Sequence, residues 1–270
     1  MKSKFDIKYF ELENLNKNSI EDIRNNRIID GFVIRDFLNS EEVNLTTKYA
    51  TDNINEFFIL KEGMKTWPLP LGNYSVNDDF FSYYDNVNSK WENDNFFLKE
   101  KLFNLFEKLN FNCKFLEKQN KKITYGSFRN LYLEKEIPTL NIHVGNAFYR
   151  RFYAFFKKFD KNILFENQLS YFILLKKPKS GGMLELFNVE WNECKEVVMK
   201  SSFFKSNKDE LIYYKDVYSE IIEMNEGDLL VFAGGEIYHQ VTSHFGGERL
   251  TFGGFLSFDK RNNKTIYIWT

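Results

Sequence analysis

The stretch Asn141-Ile142-His143-Val144-Gly145-Asn146 decides how the chain is read. With Ile142–Val144 extended, alternate side chains share a face, so His143 and position 145 look at one spot. A histidine followed two residues later by a carboxylate is the opening half of a facial metal triad, which a distant second histidine completes while other coordination positions stay open. Here the carboxylate position is Gly145, which offers a metal nothing. Such a vacancy is filled from solution, and a halide ion is one candidate. Taken alone, a His beside a Gly reads as packing, so the rest of the chain has to supply the case.

Partners for His143 are few, because the chain holds only three histidines, His143, His239 and His244. The run Glu226-Gly227-Asp228-Leu229-Leu230-Val231-Phe232 reads as a turn and a strand, Ala233-Gly234-Gly235 breaks it, and Tyr238-His239-Gln240-Val241 follows. Arg249 stands ten residues beyond His239 and opens the run Leu250-Thr251-Phe252-Gly253-Gly254-Phe255-Leu256. A His at the mouth of a β-roll can bind metal while a guanidinium held deeper takes the far carboxylate of a dicarboxylate bidentately. His244 fits no such role and reads as a solvated loop residue.

Length and composition set the frame. At 270 residues, with 43% hydrophobic and 18% aromatic residues, the chain is expected to fold as one domain with a substantial core. A net charge of −1 gives no electrostatic reason to expect nucleic acid or an anionic membrane. No uncharged apolar run is long enough to span a bilayer, and the polar start Met1-Lys2-Ser3-Lys4-Phe5-Asp6 has no apolar signal region, so a cytoplasmic protein is the expectation. Cys113 and Cys194 have no metal-ligand spacing and read as reduced thiols.

Along the chain, Ser19 reads as the cap of a short helix, Gly31–Phe37 as a strand, and Asn39-Ser40-Glu41-Glu42 as the cap of a helix running to about Phe58. Lys65–Asn88 is aromatic and punctuated by Pro68, Pro70 and Gly72, so it reads as loop-like, and Trp91–Leu109 reads as one amphipathic helix. From Ile123 onward short extended runs dominate: Ser127–Tyr132, Leu140–Val144, Leu169–Leu175, Met183–Val189, Leu229–Phe232, Arg249–Phe258 and Thr265–Trp269. Gly181-Gly182 supplies a tight turn into one of them. Many short strands without alternating helices favour a sandwich or jelly roll. Residues 194–222 break the pattern and read as a helical insertion, a candidate active-site lid.

The constellation of His143, Gly145, His239 and Arg249 resembles the Fe(II)/2-oxoglutarate-dependent oxygenase superfamily. More closely it resembles the freestanding aliphatic halogenases of the welwitindolinone and hapalindole type. The resemblance is carried by His143-Val144-Gly145-Asn146, Gln168-Leu169-Ser170-Tyr171-Phe172, Gly181-Gly182 with Asn188-Val189-Glu190-Trp191-Asn192, Gly227-Asp228 through Tyr238-His239, Arg249 through Phe255, and the tail from Asp259. It implies a mainly β fold with flanking helices: a double-stranded β-helix, or jelly-roll, core at 123–270 and a helix-rich support at 1–122. It implies that His143 and His239 bind Fe(II), that Arg249, assisted by Thr251, pairs with the C5 carboxylate of 2-oxoglutarate, that Gly145 leaves room for chloride or bromide, and that Ser170 orients the oxygen bound at the metal. Asn146 and Tyr238 are weaker candidates that also read as loop supports.

The activity so implied is radical chlorination or bromination of an unactivated carbon, with O2 and 2-oxoglutarate as cosubstrates. The substrate would be a small molecule not tethered to a carrier protein. A hydroxylase or desaturase of the same superfamily, with water at the Gly145 vacancy, is the alternative, and a non-catalytic ligand-binding jelly roll is the third reading. The basic, aromatic segment with Arg150, Arg151, Lys157 and Lys158 departs from the family pattern and leaves the substrate open. The oligomeric state is not legible.

Overall fold

The computed structural model describes residues 5–25, 27–71, 79–133, 140–192 and 218–270. In chain order its elements are β1 (Ile7–Glu11), α1 (Ser19–Arg24), β2 (Gly31–Arg35), α2 (Ser40–Asp52), β3 (Phe58–Lys61), β4 (Met64–Trp67), α3 (Asp79–Asn93), α4 (Leu98–Lys108), β5 (Asn112–Phe115), β6 (Glu117–Lys118), β7 (Lys121–Lys122), β8 (Ser127–Leu131) and β9 (Leu140–His143). The second half continues with α5 (Gly145–Arg151), α6 (Tyr153–Phe156), β10 (Ile163–Lys176), β11 (Ser180–Gly181), β12 (Leu184–Glu190), β13 (Ser219–Ile222), β14 (Leu229–Phe232), β15 (Ile237–Val241), β16 (His244–Phe245), β17 (Arg249–Asp259) and β18 (Thr265–Trp269).

Strands dominate, and they form two principal sheets. The larger runs β1-β2-β14-β10-β17-β8-β4-β3, with β18 and β5 attached beside β17, and the smaller runs β13-β12-β15-β9. Strand β17 is the seam. Its first half, Arg249–Gly253, pairs with β8, its second half, Phe255–Phe258, pairs with β18, and β10 pairs along most of its other edge. Strand β14, whose four residues are all buried, is apolar without alternation because both its faces are covered. This is the jelly roll expected of the chain.

Helices cover the outside. In α4 the buried residues Leu98, Leu102, Leu105 and Phe106 recur at helical spacing and make one apolar stripe. Helix α2 starts with a reciprocal capping box: Glu42 N–H donates to Asn39 Oδ1 at 3.0 Å and Asn39 N–H donates to the Glu42 carboxylate at 2.9 Å. It ends at Asp52, short of the expected Phe58, because residues 58–61 are taken by an edge strand. Ser19 is the first residue of α1, not its cap, and is fully buried there.

Three expectations are corrected. The loop-like Lys65–Asn88 contains β4 and most of α3, and its rings Phe80, Phe81 and Tyr84 pack with Phe155, Phe156 and Trp269 in a satellite core. The single helix Trp91–Leu109 is two: Asn95 adopts φ +53°, and the chain turns between α3 and α4. Of the expected insertion 194–222, the residues up to 217 lie outside those described, while Ser219–Ile222 is a sheet strand paired with β12. Gly181 and Gly182 do form the tight turn, both at φ +67°, a conformation that side chains disfavour.

Candidate functional site

His143 and His239 are brought together by strand register. β9 and β15 run antiparallel with these two residues as direct partners, and their ring centroids lie 4.2 Å apart. In each ring Nδ1 lies 2.8 Å from the backbone carbonyl two residues earlier, Asn141 for one and Ile237 for the other. A carbonyl can only accept, so each Nδ1 carries the proton and each Nε2 presents its lone pair. Burial drives the His143 pKa well below its ordinary value, with His239 beside it adding to the effect. Burial likewise lowers the His239 pKa to about 4, against the opposing pull of the Ile237 carbonyl. Two neutral, oriented imidazoles are what a divalent transition metal requires.

These rings face a cavity of about 590 Å³ between the sheets. The larger sheet contributes Arg129, Ser170, Phe172, Arg249 and Thr251, the smaller one Leu184 and Val241, and α5 adds Phe148. Leu60, Lys61, Met64 and Pro70, all close together in the N-terminal half of the chain, stand along another part of the wall. Among the described residues no group of three or more His, Cys, Asp or Glu could hold a metal. Among the described residues, the two imidazoles are what this site offers a metal.

Arg249 opens β17 and is buried, with its guanidinium 5.2 Å from the centre of the Phe172 ring. Burial pushes its pKa down to about 9, and Arg129 adds to this. Arg129 lies opposite Thr251 across the β8–β17 pairing, and burial lowers its pKa as well. Thr251 is two residues from Arg249 and so on the same face of the strand. The residues thus fit 2-oxoglutarate: cationic groups and a hydroxyl converge where a dicarboxylate would lie.

Gly145 stands differently from its expected place. The strand stops at His143, Val144 is extended (φ −147°, ψ 141°), and Gly145 is the first residue of α5. It still lines the cavity with His143. A Cβ added there would lie 2.7 Å from Gln168 Nε2, 3.1 Å from the Gly234 carbonyl oxygen and 3.1 Å from Gly235 Cα. The space of the missing side chain is small and is flanked by an amide. Gln168 is 1% exposed, and neither of its amide atoms has a hydrogen-bond partner. Leaving such a group unpaired costs about 1–3 kcal/mol. Ser170, two residues along β10, lines the cavity and touches the position a Gly234 side chain would take.

The remaining candidates are placed as follows. The Asn146 side chain donates to Asn167 Oδ1 at 2.7 Å and accepts from Asn167 N–H at 2.7 Å, pinning α5 to β10 away from the cavity. Tyr238 is buried in a small core with Ile142, Val144 and Phe187. His244 is not solvated: it is fully buried, because β16 pairs with β11 and lays it against Gly182. Arg150 pairs with Glu166 at 2.8 Å on the surface, whereas Arg151 lines the cavity. Sequence reading missed Arg129, Gln168 and Phe232, the last packed edge-on against His239 at 5.0 Å.

The family model described as carrier-protein-independent halogenase WelO5 matches residues 4–270. No curated protein sequence matches the chain. Among solved structures, an N-substituted L-amino acid dioxygenase from Burkholderia ambifaria AMMD is similar over 94% of this chain and 91% of its own, with 11% identity and a TM-score of 0.54. The non-heme alpha-ketoglutarate-dependent carbocyclase SnoK from nogalamycin biosynthesis covers 93% of this chain and 88% of its own, with 11% identity and a TM-score of 0.52. The epimerase SnoN from the same biosynthesis covers 90% and 84%, with 11% identity and a TM-score of 0.51. At such identities these structures speak for the fold alone, a jelly roll, whereas the family model spans almost the whole sequence. The chain accordingly belongs to the carrier-protein-independent halogenase family WelO5, and with it to the non-haem iron, 2-oxoglutarate-dependent enzymes.

Proposed function

We propose that the protein is a halogenase that places chlorine or bromine on an unactivated aliphatic carbon of a free small molecule. The observation that carries this reading is two oriented imidazoles facing one cavity that is also lined by a glycine two residues after the first of them. Family membership supports a substrate that no carrier protein presents.

In this reading His143 and His239 hold Fe(II) through Nε2, and the backbone carbonyls of Asn141 and Ile237 fix the tautomers. Arg249 takes the C5 carboxylate of 2-oxoglutarate, Thr251 adds a hydroxyl, and Arg129 lowers the cost of gathering anionic charge on this wall. With dioxygen, the loaded centre supplies the oxidising power to remove a hydrogen atom from the substrate, releasing succinate and carbon dioxide. The face bared by Gly145 leaves the halide its position. The Ser170 hydroxyl would offer a hydrogen bond at this wall, and Leu60, Met64, Phe148 and Phe172 would hold the target carbon so that the halide, not a hydroxyl, reaches it. These side chains also keep water from the radical.

The test incubates the protein with Fe(II), 2-oxoglutarate and chloride, admits oxygen in the presence of a panel of free metabolites, and reads products by mass. Chlorine's isotope pattern is expected, replaced by bromine's when bromide is supplied. In Gly145→Asp the added carboxylate competes for the halide position and repels the anion, so halogenation is expected to vanish. An authentic substrate converted only to hydroxylated product at every chloride concentration would favour the hydroxylase reading.

A further inference from the structure

We infer that Gln168 is the halide-positioning residue: its side-chain amide donates to the anion held beside Gly145. The inference rests on the halogenase reading above, and deepens it. An anion in a protein interior needs N–H or O–H donors, and the surroundings of Gly145 offer few. The backbone N–H groups of Gly145 and Asn146 are already spent on the carbonyls of Gly234 (2.8 Å) and Gly235 (2.9 Å). Gly235 N–H in turn donates to the Gln168 carbonyl at 2.9 Å. These contacts lace three backbone segments together and leave no free backbone donor at Gly145 itself.

The Gln168 side chain is the exception. It is buried at 1% exposure, neither end of its amide is partnered, and Nε2 lies 2.7 Å from the point a Cβ at position 145 would occupy. A side chain at 145 and the Gln168 amide therefore compete for one volume. Loss of the side chain at 145 vacates a coordination position directly beside this buried amide. Because both ends of the amide are unpaired, rotation about its terminal bond exchanges them, and an anion selects the nitrogen. A neutral donor suits this position better than a cation would, since it directs the halide without adding charge next to the metal. Ser170, two residues further along β10, lines the cavity and is a separate polar neighbour.

The test reads binding, not turnover. Protein loaded anaerobically with Fe(II) and 2-oxoglutarate is titrated with chloride and with bromide, following the visible charge-transfer absorption. Gln168→Met keeps the length of the side chain and removes its donors. It is expected to weaken both halides at least tenfold while leaving Fe(II) and 2-oxoglutarate affinities within about twofold of the original protein. Equal halide affinity in the two proteins overturns the inference and leaves the halogenase reading standing, whereas an original protein that binds no halide overturns both. Should Gln168→Met not fold, the unaltered protein is loaded with Zn(II) and 2-oxoglutarate and its side-chain amide resonances are followed as chloride is added. Movement of the Gln168 pair is expected, and a stationary pair overturns the inference.

Discussion

Arg129 and Arg249 share one wall of the cavity, and among the described residues no carboxylate pairs with either. Arg129 is the cross-strand partner of Thr251, and Arg249 lies two residues from Thr251 on the same face. Two cations gathered without an anion make a wall that waits for one; burial first, and Arg129 second, lower the pKa of Arg249.

Dicarboxylates are therefore expected to stabilise the protein. A melting temperature that rises with 2-oxoglutarate or succinate concentration checks this. Arg249→Met should weaken 2-oxoglutarate by about 2–5 kcal/mol, because the far carboxylate loses a bidentate partner, while the free protein gains about 1–3 kcal/mol from losing a buried unpaired charge. Unchanged 2-oxoglutarate affinity in this variant would remove Arg249 from the site.

Iron should depend on the two histidines and not on the arginine. His143→Ala and His239→Ala are each expected to abolish stoichiometric Fe(II) binding, with Arg249→Met retaining it. Equilibrium dialysis under anaerobic conditions decides the matter, and iron held by both histidine variants would refute the assignment.

The metal-free protein should lose stability in acid through His239. Its pKa in the fold, about 4, is below the value of about 6.5 in an unfolded chain, so the unfolded state takes up the proton first. The stability tied to its neutral form is complete above pH 6.5 and is lost as pH falls toward 4, a change of about 3 kcal/mol. Urea unfolding across this window should show the slope, and His239→Asn should reduce it, the remainder belonging to His143.

Gly145→Ala adds a methyl and no ligand. Its Cβ meets Gln168 Nε2 at 2.7 Å, so the amide has to move, at a cost of about 1–3 kcal/mol. Halide affinity is expected to fall without any gain of a carboxylate, which an anaerobic chloride titration reads. Full halide affinity in the alanine variant would mean that the space at Gly145 is not what the anion uses.

Asp228 anchors the frame that holds β14. It is 1% exposed, pairs with Arg35, and accepts from the backbone N–H groups of Asn225 at 2.8 Å and Asp36 at 3.1 Å. Asp228→Ala should cost about 3–5 kcal/mol by leaving Arg35 and two N–H groups without their acceptor. Thermal or urea unfolding measures it, and a loss under 1 kcal/mol would show that the pair is not structural.

Legibility followed chemistry. Leu229–Phe232 and Thr265–Trp269 were read to the residue because dense β-branched and aromatic runs have few other uses. The helix Asp79–Asn93 was missed because its rings, Phe80, Phe81, Tyr83 and Tyr84, are crowded at its start and blur the helical period. The strand ending at His143 hid the helical turn at Gly145, since one glycine is compatible with either. Arg129 and Gln168 carry no spacing signal of their own: each is one polar residue inside a strand, and only the pairing of distant strands shows what it faces. His244 was misjudged for the same reason, because its burial comes from β11, more than sixty residues earlier.

Leu60, Lys61, Met64 and Pro70 reach the cavity from the edge of the larger sheet, where β3 is the last strand and Ile59 is 67% exposed. The histidines and Arg249 sit on other strands altogether. This part of the wall is an edge ribbon held by a single neighbouring strand, β8. On the proposed function, substitutions or grafted loops in that ribbon are expected to change which molecule is accepted with less effect on iron binding, which makes residues 58–67 the natural place to begin a library.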